Sequence, residues 1–332
     1  MFRQRALTGV IGLPILFGLL FLDGFPWTFG LPFLAVVTVV SMFGSDEFLR
    51  LVRKRGFQPP PDMGKMMGAL PPLFIYFYHY RYNDTVLLAL TLIIVVDVLM
   101  LALALIGDIS RRMAARPKQA AVAHGGAKRQ EARKDEEPAP GGTVGALRDF
   151  ALMAVGAAYV GGSLSYLILL RRIGGDLAPW GIWPVALLIA AVWISDTAAY
   201  AAGKTLDGPR LWPRVSPGKT IIGTVAGVVA CAIIFALACA IQSLGSHASF
   251  NLFVAAFAGT AAVIGAVIGL AGLGGDLAES ALKRWAGVKD SGDILPGHGG
   301  ILDRFDSLTW AAPAFFYILI ILRSQPPWVI GG

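Results

Sequence analysis

Residues 221–243 read IIGTVAGVVACAIIFALACAIQS, 23 consecutive positions without one charged side chain. A run of that length and apolarity is what a helix needs to cross the hydrocarbon core of a bilayer. Its two cysteines, Cys231 and Cys239, are the only ones in the chain and read as small core hydrophobes. The rest of the sequence has the same character. Of its 332 residues 56% are hydrophobic and 15% charged, with mean hydropathy +0.66. Soluble domains carry about a quarter charged residues, so an ordinary soluble fold is excluded. The apolar content also excludes a disordered chain, and two cysteines exclude a disulfide-stapled one.

Outward from that run, apolar stretches recur near 7–22, 28–45, 66–80, 85–106, 147–170, 181–203, 251–273 and 308–322. With 221–243 they predict an all-α, polytopic integral membrane protein of about nine transmembrane helices. Lipid cannot satisfy free backbone groups, and the runs lack the alternation of a barrel. The stretch 66–80 is the weakest, being short and carrying Pro71 and Pro72. Arg3 and Arg5 precede a run with no small-residue cleavage site, which reads as a retained span rather than a signal peptide.

Lys and Arg in the short loops favour an N-in, C-out orientation. Arg50 to Lys65, Arg111 to Arg148, Lys204 to Lys219 and Lys283 to Arg304 then fall on the cytoplasmic side, and only Arg171 and Arg172 disagree. The net charge of +7 reads as this bias plus affinity for anionic lipid or substrate. No basic and aromatic interleaving of a nucleic-acid platform is present, so nucleic acid is not expected as a partner. No repeat or second domain is visible. Residues 1–332 read as a single transmembrane domain, within which 107–146 is a flexible charged cytoplasmic linker.

In a chain this poor in charge, the clusters of charge are informative. Residues 274–307 read GGDLAESALKRWAGVKDSGDILPGHGGILDRFDS. Asp276, Glu279, Ser280 and Lys283 fall at i, i+3, i+4 and i+7, on one face of a helix. Pro296, Gly297, Gly299 and Gly300 then predict a tight loop around His298, where backbone N–H groups can approach an anion. Asp303, Asp306 and Ser307 resume helical spacing. Two acidic pairs with Lys and Arg interleaved suit Mg²⁺ plus phosphate: hard oxygen ligands for the metal and cations for phosphoryl oxygens. The alternative reading is a salt-bridged loop that caps two helices.

A second constellation occupies 193–223, WISDTAAYAAGKTLDGPRLWPRVSPGKTIIG. Asp196 lies within an apolar span, where an ionisable residue is costly and marks a functional candidate. Ser216 is the expected N-cap of the next helix, with Pro217, Gly218, Lys219 and Thr220 turning toward an anion. A Walker A reading of Gly218-Lys219-Thr220 fails, because the motif's first Gly falls at Pro213 and no strand is expected before the loop. Asp97 sits deep in another run, as a site residue or an interhelical hydrogen-bonding group. His79, His124 and His247 have no companions at metal-ligand spacing.

The stretch Ser280-x-Leu282-Lys283-Arg284-x4-Lys289-Asp290-x-Gly292-x2-Leu295-Pro296-x-His298-Gly299-Gly300-Ile301-x-Asp303-Arg304-Phe305-Asp306 resembles the signature of the phosphatidate cytidylyltransferases, also called CDP-diacylglycerol synthases. Asp196-Thr197, Tyr200, Gly203 and Ser216-Pro217-Gly218-Lys219-Thr220 are similar to that family too. Two positions depart from its pattern: Ala198 replaces a usual Gly, and Ile222 stands where an acid is usual. The resemblance implies condensation of CTP with phosphatidic acid to CDP-diacylglycerol and pyrophosphate, with Mg²⁺; a second cation is left open, and the loop charge puts the site on the cytoplasmic side of the cytoplasmic membrane. Asp276 and Asp303 are then the metal ligands, with Ser280 and Lys283 beside them and Asp306 and Asp290 as outer members.

Two polyanions must be brought together in such a reaction, so cations that neutralise them are required. Lys219, Lys283, Lys289 and Arg304 are the expected phosphate clamps. Ser216, Thr220, Arg284, His298, Gly299, Gly300 and Asp196 complete the expected substrate contacts, and homodimerisation is left open. Competing readings are another CTP-dependent transferase, such as a polyprenol kinase-like enzyme, or a secondary transporter. A transporter would place its charge near the bilayer midplane, whereas here most of it lies in one interfacial stretch.

Overall fold

A chain this apolar can satisfy its backbone in lipid only by coiling it. The computed structural model describes residues 30–60, 62–79, 143–173, 182–245, 252–294 and 299–323, and these are mostly helical. Helix α1 spans Leu31–Arg53 and α2 Met63–His79. Helix α3, Thr143–Gly156, runs through a π-helical turn, Ala157–Gly162, into α4, Ser163–Arg172. Then come α5 (Ile182–Thr205), α6 (Ile221–Gly245), α7 (Leu252–Ala286) and α8 (Leu302–Arg323).

Among the described residues six stretches are long and apolar enough to cross a membrane: Leu31–Arg53, Arg148–Arg172, Ile182–Thr205, Ile221–Ile241, Ala258–Ala286 and Leu302–Leu322. They coincide with six of the expected spans. The span expected at 66–80 is the helix α2, 17 residues long and carrying Pro71 and Pro72, which is not one of the six. The runs near 7–22 and 85–106, Asp97 and most of the linker lie outside the described residues. Helix α3 begins at Thr143, inside the last residues of the expected linker.

The all-α expectation also needs one addition. Strand β1, Arg210–Trp212, pairs antiparallel with β2, Ser216–Thr220, in register Arg210 to Thr220 and Trp212 to Ser216. Ser216 is therefore a strand residue and not the N-cap of α6. Thr220 takes that role, its hydroxyl oxygen accepting the Gly223 N–H at 3.0 Å. Pairing with β1 engages this stretch at Ser216 and at Thr220, with an irregularity between them, so the helix starts only at Ile221. A short strand thus does precede the Gly-Lys-Thr tripeptide, contrary to expectation. The tripeptide itself runs in β2, so no phosphate-binding loop of the Walker type forms.

Helix α6 packs between α5 and α7, and α7 packs in turn on α8. Small residues allow the close approach. A Cβ at Gly265 on α7 would lie 2.6 Å from the Cys231 carbonyl oxygen and 2.8 Å from Ala232 Cα on α6. Such contacts replace the hydrophobic drive that lipid removes. Cys231 is fully buried in this crossing, as a small core residue. Elsewhere Tyr166 on α4 bonds through its hydroxyl to Tyr317 on α8 at 3.0 Å, within an aromatic cluster with Phe316.

Arg172 donates to the Tyr76 carbonyl at 2.8 Å and lies 4.0 Å over the Tyr76 ring. This exception to the loop-charge pattern is bound to the end of α2. At the other end of the bundle the C-terminal portions of α1, α5 and α7 meet the N-termini of α6 and α8 and the hairpin, and their polar residues gather there.

Candidate active site

The polar end encloses a cavity of about 700 Å³, within the range of ligand pockets. From α5 it is lined by Ser195, Asp196, Tyr200 and Lys204, and from the following loop by Asp207. The hairpin supplies Arg210, Ser216, Lys219 and Thr220. Asp276 enters from α7, and Asp303 and Asp306 from α8.

Helix α7 brings Asp276 to this point because it does not end with its apolar run. It is 35 residues long and carries the polar face Asp276, Glu279, Ser280 and Lys283 as its last turns. Gly275 sets the spacing of α7 from α8, since a Cβ there would lie 3.2 Å from the Asp306 carbonyl carbon and 3.3 Å from Ser307 Cα. The two acidic pairs read from the sequence are thereby faced against each other.

Asp276 forms an ion pair with Lys219 and accepts a hydrogen bond from the Ser280 hydroxyl at 3.3 Å. The Lys219–Asp276 pair is about a quarter exposed on each side, at 25% and 23%. Lys283 is placed differently. Its side chain is 14% exposed, and its ammonium bridges Glu279, 2.5 Å away and fully buried, to Asp303 at 2.7 Å. Asp303 also accepts the N–H groups of Gly300 at 2.8 Å and Ser291 at 3.0 Å on its other oxygen. Three donors thus hold Asp303 still while it lines the cavity.

The lining carries five carboxylates, Asp196, Asp207, Asp276, Asp303 and Asp306, against three basic side chains, Lys204, Arg210 and Lys219. A polyanion enters such a cavity only with added cations. Among the described residues no group of three His, Cys, Asp or Glu side chains is arranged to hold a metal by itself. Mg²⁺ does not need one, since it is commonly held by one or two carboxylates, with substrate phosphates and waters completing its octahedron. The oxygen donors and surplus negative charge therefore fit Mg²⁺.

A profile described as the cytidylyltransferase family matches residues 3–322, nearly the whole sequence. The chain belongs to the cytidylyltransferase family. It is 36% identical over 176 residues to the phosphatidate cytidylyltransferase of Bacillus subtilis (strain 168), covering 53% of this chain and 60% of that protein. To the phosphatidate cytidylyltransferase of Brucella suis biovar 1 (strain 1330) it is 40% identical over 173 residues, 52% of this chain and 58% of that one. In these two the match spans less than two-thirds of the relative's own length. The phosphatidate cytidylyltransferase of Synechocystis sp. (strain ATCC 27184 / PCC 6803 / Kazusa) is 28% identical over 341 residues, covering 96% of this chain and 97% of that protein.

In this cytidylyltransferase-family chain Asp196, Ser216, Lys219, Thr220, Asp276, Asp303 and Asp306 share the cavity, and Ser280 sits behind Asp276. Lys283 stands behind Asp303 and is not part of the lining. Arg284 faces the hairpin, donating to the carbonyls of Val215 and Val288, each at 3.3 Å. Lys289, Asp290 and Arg304 are exposed and do not line the cavity. The Gly300 N–H is taken by Asp303, so it is not free for an anion as expected. Gly299 has φ 81°, a left-handed value that suits glycine. His298 lies outside the described residues.

The sequence reading did not single out Lys204, Asp207 or Arg210 as site residues. Lys204 reaches the cavity from the last turn of α5 and Asp207 from the loop after it, while Arg210 arrives because β1 folds back on β2. The unusual density of charge between two apolar runs was the available signal.

Proposed function

We propose that this protein is a membrane phosphatidate cytidylyltransferase that converts CTP and phosphatidic acid to CDP-diacylglycerol and pyrophosphate with Mg²⁺. The observation that carries the reading is the cavity itself: five carboxylates and three cations at one end of a bundle of apolar helices. The relatives' names supply the substrate pair.

A phosphatidate oxygen forms a bond to the α-phosphorus of CTP, the bond from that phosphorus to the β-phosphate bridging oxygen breaks, and pyrophosphate leaves with the electron pair. The residues' task is to hold two polyanions in line and to offset their charge. Lys204 and Arg210 at the cavity wall bind phosphoryl oxygens, and Lys219 exchanges its contact with Asp276 for one to phosphate. Asp276 and Asp303 hold Mg²⁺, with Asp306 beside them and a second cation accommodated by the remaining carboxylates. When bound, Mg²⁺ neutralises phosphoryl charge and stabilises the departing pyrophosphate. Lys283 keeps Asp303 in place from behind. Asp196, on the α5 wall, faces the incoming headgroup.

The proposed topology has nine spans, N-in and C-out: the six apolar helices, α2, and the runs near 7–22 and 85–106. It places the cavity at the cytoplasmic face of the inner membrane, where a lipid phosphate meets a water-soluble nucleotide.

The test is the purified full chain in detergent with cytidine-labelled CTP, phosphatidic acid and Mg²⁺. Labelled lipid is expected with Mg²⁺, and its formation is expected to stop in excess EDTA. No labelled lipid under conditions where a relative's enzyme works would overturn the reading. Label transferred to a polyprenol and not to phosphatidic acid would redirect it to another lipid acceptor.

A further inference from the structure

Glu47 lies on α1, 244 positions before Ser291, and lines no part of the cavity. Its side chain is fully buried at 0% exposure. A carboxylate is held in such a place only by donors that replace water. Three are present, all from one segment. The Ser291 hydroxyl donates to Oε2 at 3.0 Å, the Leu302 N–H to Oε2 at 2.8 Å and the Ile301 N–H to Oε1 at 3.0 Å. The last two belong to the start of α8, whose unpaired N–H groups and dipole favour an anion.

The same segment holds Asp303. Ser291 gives its hydroxyl to Glu47 and its N–H to Asp303. Gly300 gives its N–H to Asp303, and the next two N–H groups go to Glu47. The two carboxylates thus share the donors of Ser291 and of residues 300–302, so a shift of one displaces the other. Two glycines of the signature are accounted for in the same way. A Cβ at Gly292 would lie 2.8 Å from the Glu47 carboxyl carbon, and one at Gly300 would lie 2.7 Å from it.

We infer that Glu47 is a positioning residue for the site: its carboxylate, delivered from α1, orders residues 291 and 300–302 and through them sets Asp303 against Lys283 and the cavity. The kinetic part of the test rests on the proposed cytidylyl transfer. The structural part does not, because it follows backbone order directly.

Glu47→Gln keeps the size of the side chain but turns one acceptor into a donor that faces N–H or O–H. Hydrogen exchange is measured on the full chain in detergent, with peptides covering 299–306. Exchange there is expected to rise about tenfold while peptides from α5 and α6 are unchanged, since local opening is read segment by segment. In the transfer assay kcat is expected to fall about 10–100-fold, the scale of a displaced catalytic group, with KM for CTP and for phosphatidic acid within about threefold. Ser291→Ala removes one of three donors and is expected to cost about 2–5-fold in kcat. Glu47→Gln/Ser291→Ala is expected to be no worse than Glu47→Gln, because both act on one network.

Exchange and kcat both unchanged in Glu47→Gln would overturn the inference. So would faster exchange with kcat intact, or a change confined to KM. If Glu47→Gln does not fold, Ser291→Ala decides: wild-type exchange and wild-type kcat in that variant overturn it. A wild-type chain inactive in transfer removes the proposed reaction, while the exchange result still decides the role of Glu47.

Discussion

Lys283 and Lys219 look alike in sequence, two lysines beside acidic residues, and the structure gives them opposite expectations on mutation. Lys283→Met leaves Glu279, at 0% exposure, with its Lys283 ion-pair partner gone, and deprives Asp303 of one of its three donors. Breaking a buried pair from one side costs about 3–5 kcal/mol, most of it the stranded charge. At about 2.1 cal/mol/K of unfolding entropy per residue, a chain of 332 residues shifts its midpoint by about 1.4 °C per kcal/mol, so a fall of roughly 4–7 °C is expected. The measurement is thermal unfolding of the purified protein in detergent, followed by tryptophan fluorescence. Lys283→Met/Glu279→Gln removes the stranded charge as well, and it should recover at least half of the loss, because replacing both members of a buried pair is often close to neutral. A wild-type midpoint for Lys283→Met, or a double variant no more stable than the single one, would refute the bridging role.

The partner prediction uses Lys219→Met. Its pair with Asp276 is about a quarter exposed on each side, so the stability change should stay within about 1 kcal/mol. The KM for CTP should rise about tenfold or more, the value of a lost phosphate contact, and steady-state kinetics at varied CTP check this. Thr220→Ala removes the cap of α6, where the Gly223 N–H is accepted at 3.0 Å. A loss of about 1 kcal/mol is expected in the same unfolding experiment. Ser216→Ala, at the position first expected to cap, should leave the midpoint unchanged.

Much of the frame is legible in the sequence because lipid imposes one backbone solution. The apolar runs at 181–203 and 221–243 correspond to α5 and α6 within two residues of the expected bounds, and the run at 147–170 falls within the continuous helical stretch of α3, the π turn and α4. Helical spacing likewise places Asp276, Glu279, Ser280 and Lys283 on one face, and α7 carries them there. The misreadings have a common origin in pairing. Ser216-Pro217-Gly218 has good local chemistry for a helix start, but the stretch pairs with β1 and the cap moves to Thr220. Local propensity does not know what lies across from it.

What the sequence by itself determined is therefore the class of solvent and the inventory of charge: helices long enough for a bilayer, and a scarce set of acids and bases concentrated in two segments. Only the tertiary structure decided which of those charges face the cavity and which hold the others in place. Lys219 lines it, whereas Lys283 is enclosed between Glu279 and Asp303. Glu47 reaches the segment 291–302 from the other end of the chain. The physical reason is that a charge's role depends on its partners and its access to water. In a helical bundle both are set by which helices cross, a matter on which residues separated by 244 positions carry no local signal.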